Sequence, residues 1–199
     1  MEKLEWENGL RILLLPEEDA LSASVDVWVE AGSLYEDPAE QGISHFAEHM
    51  LFKGTEKRTA RRISEEIDAL GGSLNAYTTR QYTRFYAQVL SANPCPAEPG
   101  RVLDVLLDML LHSRFDPDDL GMERGVILDE IAMYEDMGED LAHEALCGTV
   151  WPASPMGWPV CGRPDTVAAV TSPALRRYVN RTYTPERILV VLTGHFVRD

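Results

Sequence analysis

His45, Glu48 and His49 stand at the spacing H-x-x-E-H inside the stretch GISHFAEHMLFKGT, residues 42–55. On a helix, residues three and four apart share one face, so the three side chains project together. Two neutral imidazoles at i and i+4 can grip one zinc ion. Glu48 is slightly offset around the helix from His49, where it would hold a water on the metal rather than the metal itself. Zinc lowers the pKa of such a water to about 7. A carboxylate beside it can take the proton and pass it to a leaving amine.

A catalytic zinc takes three protein ligands and keeps one position open. The stretch MERGVILDEIAMYEDMGED, residues 122–140, offers Glu123, Asp129, Glu130, Glu135 and Glu139. Glu123 and Glu130 are seven residues apart, nearly two whole turns, and share a face close to Val126 and Ile127. Carboxylates beside apolar residues need a partner, because a buried unpaired charge is expensive. Glu135 and Glu139 fit a solvated acidic face.

The elements that must position these residues follow from pattern. GLRILLLPE reads as a strand stopped by Pro16, and ASVDVWVEAG as a second, with Val25, Val27 and Val29 on one face and Asp26, Trp28 and Glu30 on the other. These two are expected to run antiparallel across a short polar turn. A helix is predicted from about Ile43 to Phe52, and another, capped by Thr59, through Leu70 with Gly71 just past it. SLNAYTTRQYTRFYAQVL reads as a hairpin with TRQ near its turn, in which Tyr77, Tyr82, Phe85 and Tyr86 divide between packing and cleft. SANPCPAEPG is a proline-rich surface loop. RVLDVLLDMLLHSRF is apolar on most of its circumference and predicts a buried helix. Asp116–Pro117 opens a helix to about Met137, DLAHEALCGTVW is another, PASPMGWPVCGRP is a loop, and Ser172–Pro173 opens a last helix to about Thr182. RILVVLTG is a final buried strand. Paired strands with helices between them predict an α+β fold, a mostly antiparallel sheet covered on one face by helices, in one domain over residues 1–199.

The chain carries 33 acidic against 18 basic residues, a net charge of −15. That excludes a non-specific nucleic-acid binder, which needs a basic footprint, and favours cationic partners. Cys95, Cys147 and Cys161 form neither a disulfide framework nor a cysteine zinc site, so a reducing, cytoplasmic setting is expected. No signal peptide and no apolar run of membrane-spanning length is present, so no membrane partner is expected. Lys53, Lys57, Arg58, Arg61 and Arg62 read as a solvated basic face, and His112, His143 and His195 as structural or exposed.

The stretch EQGISHFAEHMLFKGTEKRTA resembles the zinc-binding segment of the pitrilysin-type metallopeptidases, which include insulin-degrading enzymes and mitochondrial processing peptidases. Their motif is H-x-x-E-H, the inverse of the thermolysin order. The similarity continues in GGSLNAYTTRQYTRFYAQVL, in ERGVILDEI and in residues 160–194, in family order. It implies that His45, His49 and Glu130 are ligands to one zinc ion per chain, that Glu48 is the catalytic base acting on a zinc-bound water, and that Glu123 belongs to the catalytic set by supporting the histidines from behind. It implies that Asn75, Ala76, Tyr77 and Thr78 form the edge strand that receives an extended peptide substrate. The implied activity is that of an endopeptidase working inside a chamber. Family members carry a second related domain or pair with another chain, whose far half supplies an Arg and a Tyr. The chain departs from that pattern in a longer gap between His49 and Glu130 and in stopping at LTGHFVRD, short of the family's closing helix. A pitrilysin-like subunit that binds peptides or a partner chain without catalysis is the alternative. A di-iron carboxylate protein would need Glu-x-x-His pairs on a bundle, and this chain has the reverse order once, among strands.

Overall fold

The computed structural model describes residues 1–91 and 98–196. The proline-rich loop expected at 91–100, and Cys95 within it, lie largely outside the described residues. The described strands are β1 (Glu2–Glu5), β2 (Arg11–Pro16), β3 (Ser22–Val29), β4 (Ser73–Thr78), β5 (Thr83–Leu90) and β6 (Ile188–Gly194). The helices are α1 (Ile43–Leu51), α2 (Ala60–Asp68), α3 (Pro99–His112), α4 (Pro117–Asp136), α5 (Gly138–Val150), α6 (Pro164–Ala169) and α7 (Ser172–Thr182), with four one-turn helices in the connections.

The strands form one sheet in the order β1-β2-β6-β3-β5-β4. All pairings are antiparallel except β2 with β6. The two early strands β2 and β3 do run in opposite directions, but they do not pair across their short turn. β6, from the far end of the chain, lies between them, with Val190 opposite both Ile12 and Val27. Hydrophobic patterning fixes which face of a strand is buried, not which strand lies beside it. Ala23, Val25, Val27 and Val29 face the core as predicted, and Phe85, Ala87 and Val89 on β5 extend that surface. On the other face, Asp26 is buried by an ion pair with Arg84, whose guanidinium lies over Trp28, Tyr77 and Tyr86. Phe85 therefore packs inward while the three tyrosines of the hairpin lie on or towards the opposite face.

One further expectation, on helix α3, needs correction, and two short elements went unanticipated. Strand β1 escaped the pattern because its side chains are mostly exposed and only the Asn8–Gly9 turn marks the hairpin. Helix α3 is one-sided rather than buried all round: Val102, Leu106 and Met109 pack under the sheet while Asp104 and Leu111 face solvent. Helix α6 lies just beyond the expected loop, too short for a periodic signal.

Helix α1 is the centre of the molecule. Eight of its nine residues are buried, among them Ile43, Phe46, Met50 and Leu51. Its N-terminus is held by a buried acid: Glu36 accepts from the backbone N–H of Gly42 (2.8 Å) and of Ser44 (2.9 Å) and from the Ser44 hydroxyl (2.6 Å). That satisfies N–H groups left free by helix geometry and complements the helix dipole. Burial pushes the Glu36 carboxyl up, and these hydrogen bonds pull it back in part. Gly42 (φ 86°) and Gly162 (φ 78°) cross here, and a Cβ on Gly42 would fall 2.5 Å from the Cys161 carbonyl. The crossing seats the loop before α6 on the start of α1.

Candidate metal centre

Helices α1 and α4 pack together and bring three ligand atoms to one point. The Nε2 atoms of His45 and His49 each lie 3.6 Å from Oε2 of Glu130. The two rings meet edge to face with centroids 4.6 Å apart. Among the described residues, these three are the one group whose ligand atoms all lie within 4.8 Å of one another. A separation of 3.6 Å is too long for a hydrogen bond. It is close to the edge of a tetrahedron whose ligands sit about 2.0–2.2 Å from a common ion, as zinc ligands do.

The state of His45 suits a cation. Burial, helped by the neighbouring His49, pulls the His45 imidazole down to about 3, so it is neutral with a lone pair to offer. His49 Nδ1 is 3.0 Å from Oε2 of Glu123, which leaves its Nε2 turned to the shared point. Glu123 is itself buried, and its other oxygen is ion-paired with Lys53. Metal-binding histidines regularly donate their second N–H to such a carboxylate, which sets tautomer and ring orientation. The residues present therefore fit zinc: two imidazoles, one of them kept neutral by burial, one carboxylate and a buried supporting acid.

Glu48 is also buried, one residue from His49 on the same helix. Burial pushes its carboxyl above the ordinary carboxylate range, against the pull of the Thr78 hydroxyl and of His49. The Thr78 hydroxyl donates to Glu48 Oε2 at 2.5 Å. Thr78 ends β4, and β4 is an edge of the sheet. Thr79 N–H bonds Tyr82 O across the hairpin. By the alternation of antiparallel pairs, Asn75 and Tyr77 direct their N–H and C=O groups to β5, whereas Leu74, Ala76 and Thr78 direct theirs to the open edge. The Asn75 side chain caps the Ala76 N–H at 2.8 Å.

A cleft of about 520 Å³ runs from these residues along α4, α5 and the loop before α6. His45, Glu48, Ala76, Tyr77, Thr78 and Glu130 line one part of it. Acids at Glu135, Asp140 and Glu144 line the rest, with Tyr134, His143 and Cys161 between them. Arg80, at the tip of the β4–β5 hairpin, clamps Glu144 with two contacts of 3.0 and 3.1 Å and thereby ties the hairpin to α5. Burial and the surrounding carboxylates push the Cys161 thiol up to about 12 and keep it protonated.

All nine residues picked from the sequence lie at this site or on the strand beside it. Glu135 is exposed on α4 and Glu139 on α5, as expected of a solvated face. The basic run is not one face. Lys53 pairs with Glu123, and Arg58 is almost enclosed, bound to Glu66, Asp104 and Asp108, while Lys57, Arg61 and Arg62 are exposed. His143 belongs to the cleft and touches the Cys147 sulfur at 3.6 Å, and His112 pairs with Asp108. Sequence reasoning missed Lys53, Arg80 and the inward turn of the Thr78 hydroxyl, since each depends on a contact between distant segments.

The profile of the family described as Insulinase (Peptidase family M16) matches residues 11–163. An uncharacterized zinc protease, YmxG, of Bacillus subtilis is 40% identical over 197 residues, which are 97% of this chain and 47% of that protein. The crystal structure of a protease from Helicobacter pylori superposes with a TM-score of 0.90 at 23% identity, covering 98% of this chain and 46% of the other. A peptidase M16 inactive domain from Pseudomonas fluorescens superposes with a TM-score of 0.88 at 16% identity, covering 99% and 47%. At those two identities the likeness is one of fold. The chain spans 47% and 40% of the length of two curated relatives it matches. Among the described residues, no helix is long and apolar enough to cross a membrane.

Proposed function

The chain belongs to the insulinase family of peptidases, family M16, and from that premise we propose that it is the zinc-binding, catalytic half of a metalloendopeptidase. One observation carries the reading: His45, His49 and Glu130 converge on one point with Glu48 beside it. The fold alone does not decide the matter, because an inactive domain shares it. An inert half has no need of a buried general base, and here Glu48 is retained with all three ligands.

Zinc bound by His45, His49 and Glu130 would supply a Lewis acid that polarises the scissile carbonyl and acidifies a nearby water. The chain's own residues do the rest. Glu123 fixes the His49 ring through Nδ1 and so aims Nε2. The open edge of β4 receives the peptide as an added strand through the C=O of Ala76 and the N–H and C=O of Thr78, the Ala76 N–H being capped by the Asn75 side chain. Glu48 takes a proton from the attacking water as its oxygen bonds to the carbonyl carbon, then hands that proton to the amine nitrogen as the C–N bond breaks. Its raised carboxyl suits that exchange. The acids along the cleft favour substrates with basic side chains. Because the chain spans about half of its relatives, we assign the closing of a chamber to a second half, on the same or another polypeptide.

The test is Glu48→Gln in the zinc-loaded protein, assayed on a quenched fluorescent peptide with and without a candidate second half. Loss of cleavage at unchanged zinc content supports the reading. No cleavage by either protein under any condition favours the non-catalytic peptide-binding subunit, and equal cleavage by both removes Glu48 as the base.

A further inference from the structure

A glutamate has three torsions, and a base that must meet one water has to be held in one of its rotamers. Among the described residues the only hydrogen bond to the Glu48 carboxylate comes from Thr78 Oγ1, at 2.5 Å. Thr83 Oγ1 spends its single hydrogen on the Ala31 carbonyl at 2.9 Å, so towards Thr78, 3.3 Å away, it can only accept. The Thr78 hydrogen goes instead to the much nearer carboxylate oxygen of Glu48. Thr83 is fully buried and stands directly opposite Thr78 in the β4–β5 ladder. The Thr78 hydroxyl is therefore braced on one side by the sheet and points its hydrogen at one carboxylate oxygen. The same residue presents its backbone N–H and C=O to the open edge of β4, where an extended peptide would pair.

We infer that Thr78 is the positioning residue for Glu48: its hydroxyl pins Oε2 so that Oε1 faces the reacting water, while its backbone aligns the substrate strand. Substrate register and base orientation are then set by one residue, which links peptide docking to the proton transfer. The inference rests on the peptidase reading above. It assigns to Thr78 a task beyond substrate contact, and it makes the hydroxyl, not only the backbone, necessary.

The test compares Thr78→Val, which keeps the branched shape without the hydroxyl, with Thr78→Ser, which keeps the hydroxyl without the methyl. In the zinc-loaded protein, Thr78→Val is expected to lower kcat about 10- to 100-fold, the worth of one hydrogen bond to a charged group. KM and zinc content stay within about twofold of wild type, because the backbone edge and ligands are intact, and Thr78→Ser restores most of kcat. Full kcat in Thr78→Val, or a loss confined to KM, overturns the inference. Wild-type cleavage that Glu48→Gln abolishes keeps the peptidase reading in force whichever way Thr78 behaves. Should the wild type itself be inert, a crystal structure of Thr78→Val decides: a Glu48 carboxylate displaced from its wild-type position supports the role, and an unmoved one refutes it.

Discussion

Glu123→Gln tests the idea that a buried acid behind His49 tunes metal binding. Glu123 is 6% exposed and divides its two oxygens between His49 Nδ1, at 3.0 Å, and the Lys53 ammonium. Glutamine keeps the shape but has only one oxygen. If that oxygen turns to His49, the amide NH2 confronts Lys53; if it turns to Lys53, the NH2 confronts the His49 N–H. Either arrangement leaves donors facing each other in a buried place, at a cost of about 1–3 kcal/mol. Loss of such a supporting carboxylate typically weakens metal binding about 10- to 100-fold, or about 1.4–2.8 kcal/mol, the same range. Competition with a chromogenic zinc chelator at fixed pH reads the change directly. The double variant Lys53→Met, Glu123→Gln frees the amide oxygen to accept from His49, and most of the lost affinity should return. A single variant that binds zinc within about twofold of wild type, or a double variant no better than the single, would refute the reasoning.

Other predictions concern the frame around the site. Arg58→Ala leaves the nearly enclosed Asp108 without its guanidinium partner, and denaturant titration should show a loss of about 3–5 kcal/mol, against under 1 for the exposed Arg61→Ala. Phe46→Ala empties a fully buried position on α1 and should cost about 3–5 kcal/mol by the same measurement; a smaller effect would mean that the helix is not the packed centre described. His45 titrates near 6.5 in an unfolded chain and near 3 in the fold, where burial and His49 oppose its charge. Between those values only the unfolded chain takes up the proton. The urea midpoint of the zinc-free protein should therefore fall as pH drops from about 6.5 towards 3, and more steeply than that of His45→Leu. Parallel slopes would show that His45 is not held neutral by burial.

What could be read in the sequence was local. The i, i+3 and i+4 spacing of His45, Glu48 and His49 survives because one helix carries all three. Thr59, Asp116 and Gly71 mark helix ends through side-chain caps and a positive φ, which depend on neighbours in the chain. The alternation in β3 gave the buried face because pleating is a property of the strand. The insertion of β6 between β2 and β3 was not legible, since it joins segments more than 150 residues apart and no pattern within either strand names its neighbour. The same holds for Lys53 with Glu123 and for Arg80 with Glu144. A run of basic residues looks alike whether its charges meet water or buried acids. Glu130 was one of several acids by spacing, and only the family likeness singled it out before the structure set its Oε2 between two imidazoles.

The most direct measurement is anomalous diffraction at the zinc edge from crystals of the protein grown with zinc. One peak about 2.0–2.2 Å from Nε2 of His45, Nε2 of His49 and a carboxylate oxygen of Glu130 is the predicted result. A peak at any other cluster, or zinc held by the two histidines with Glu130 turned away, would contradict it.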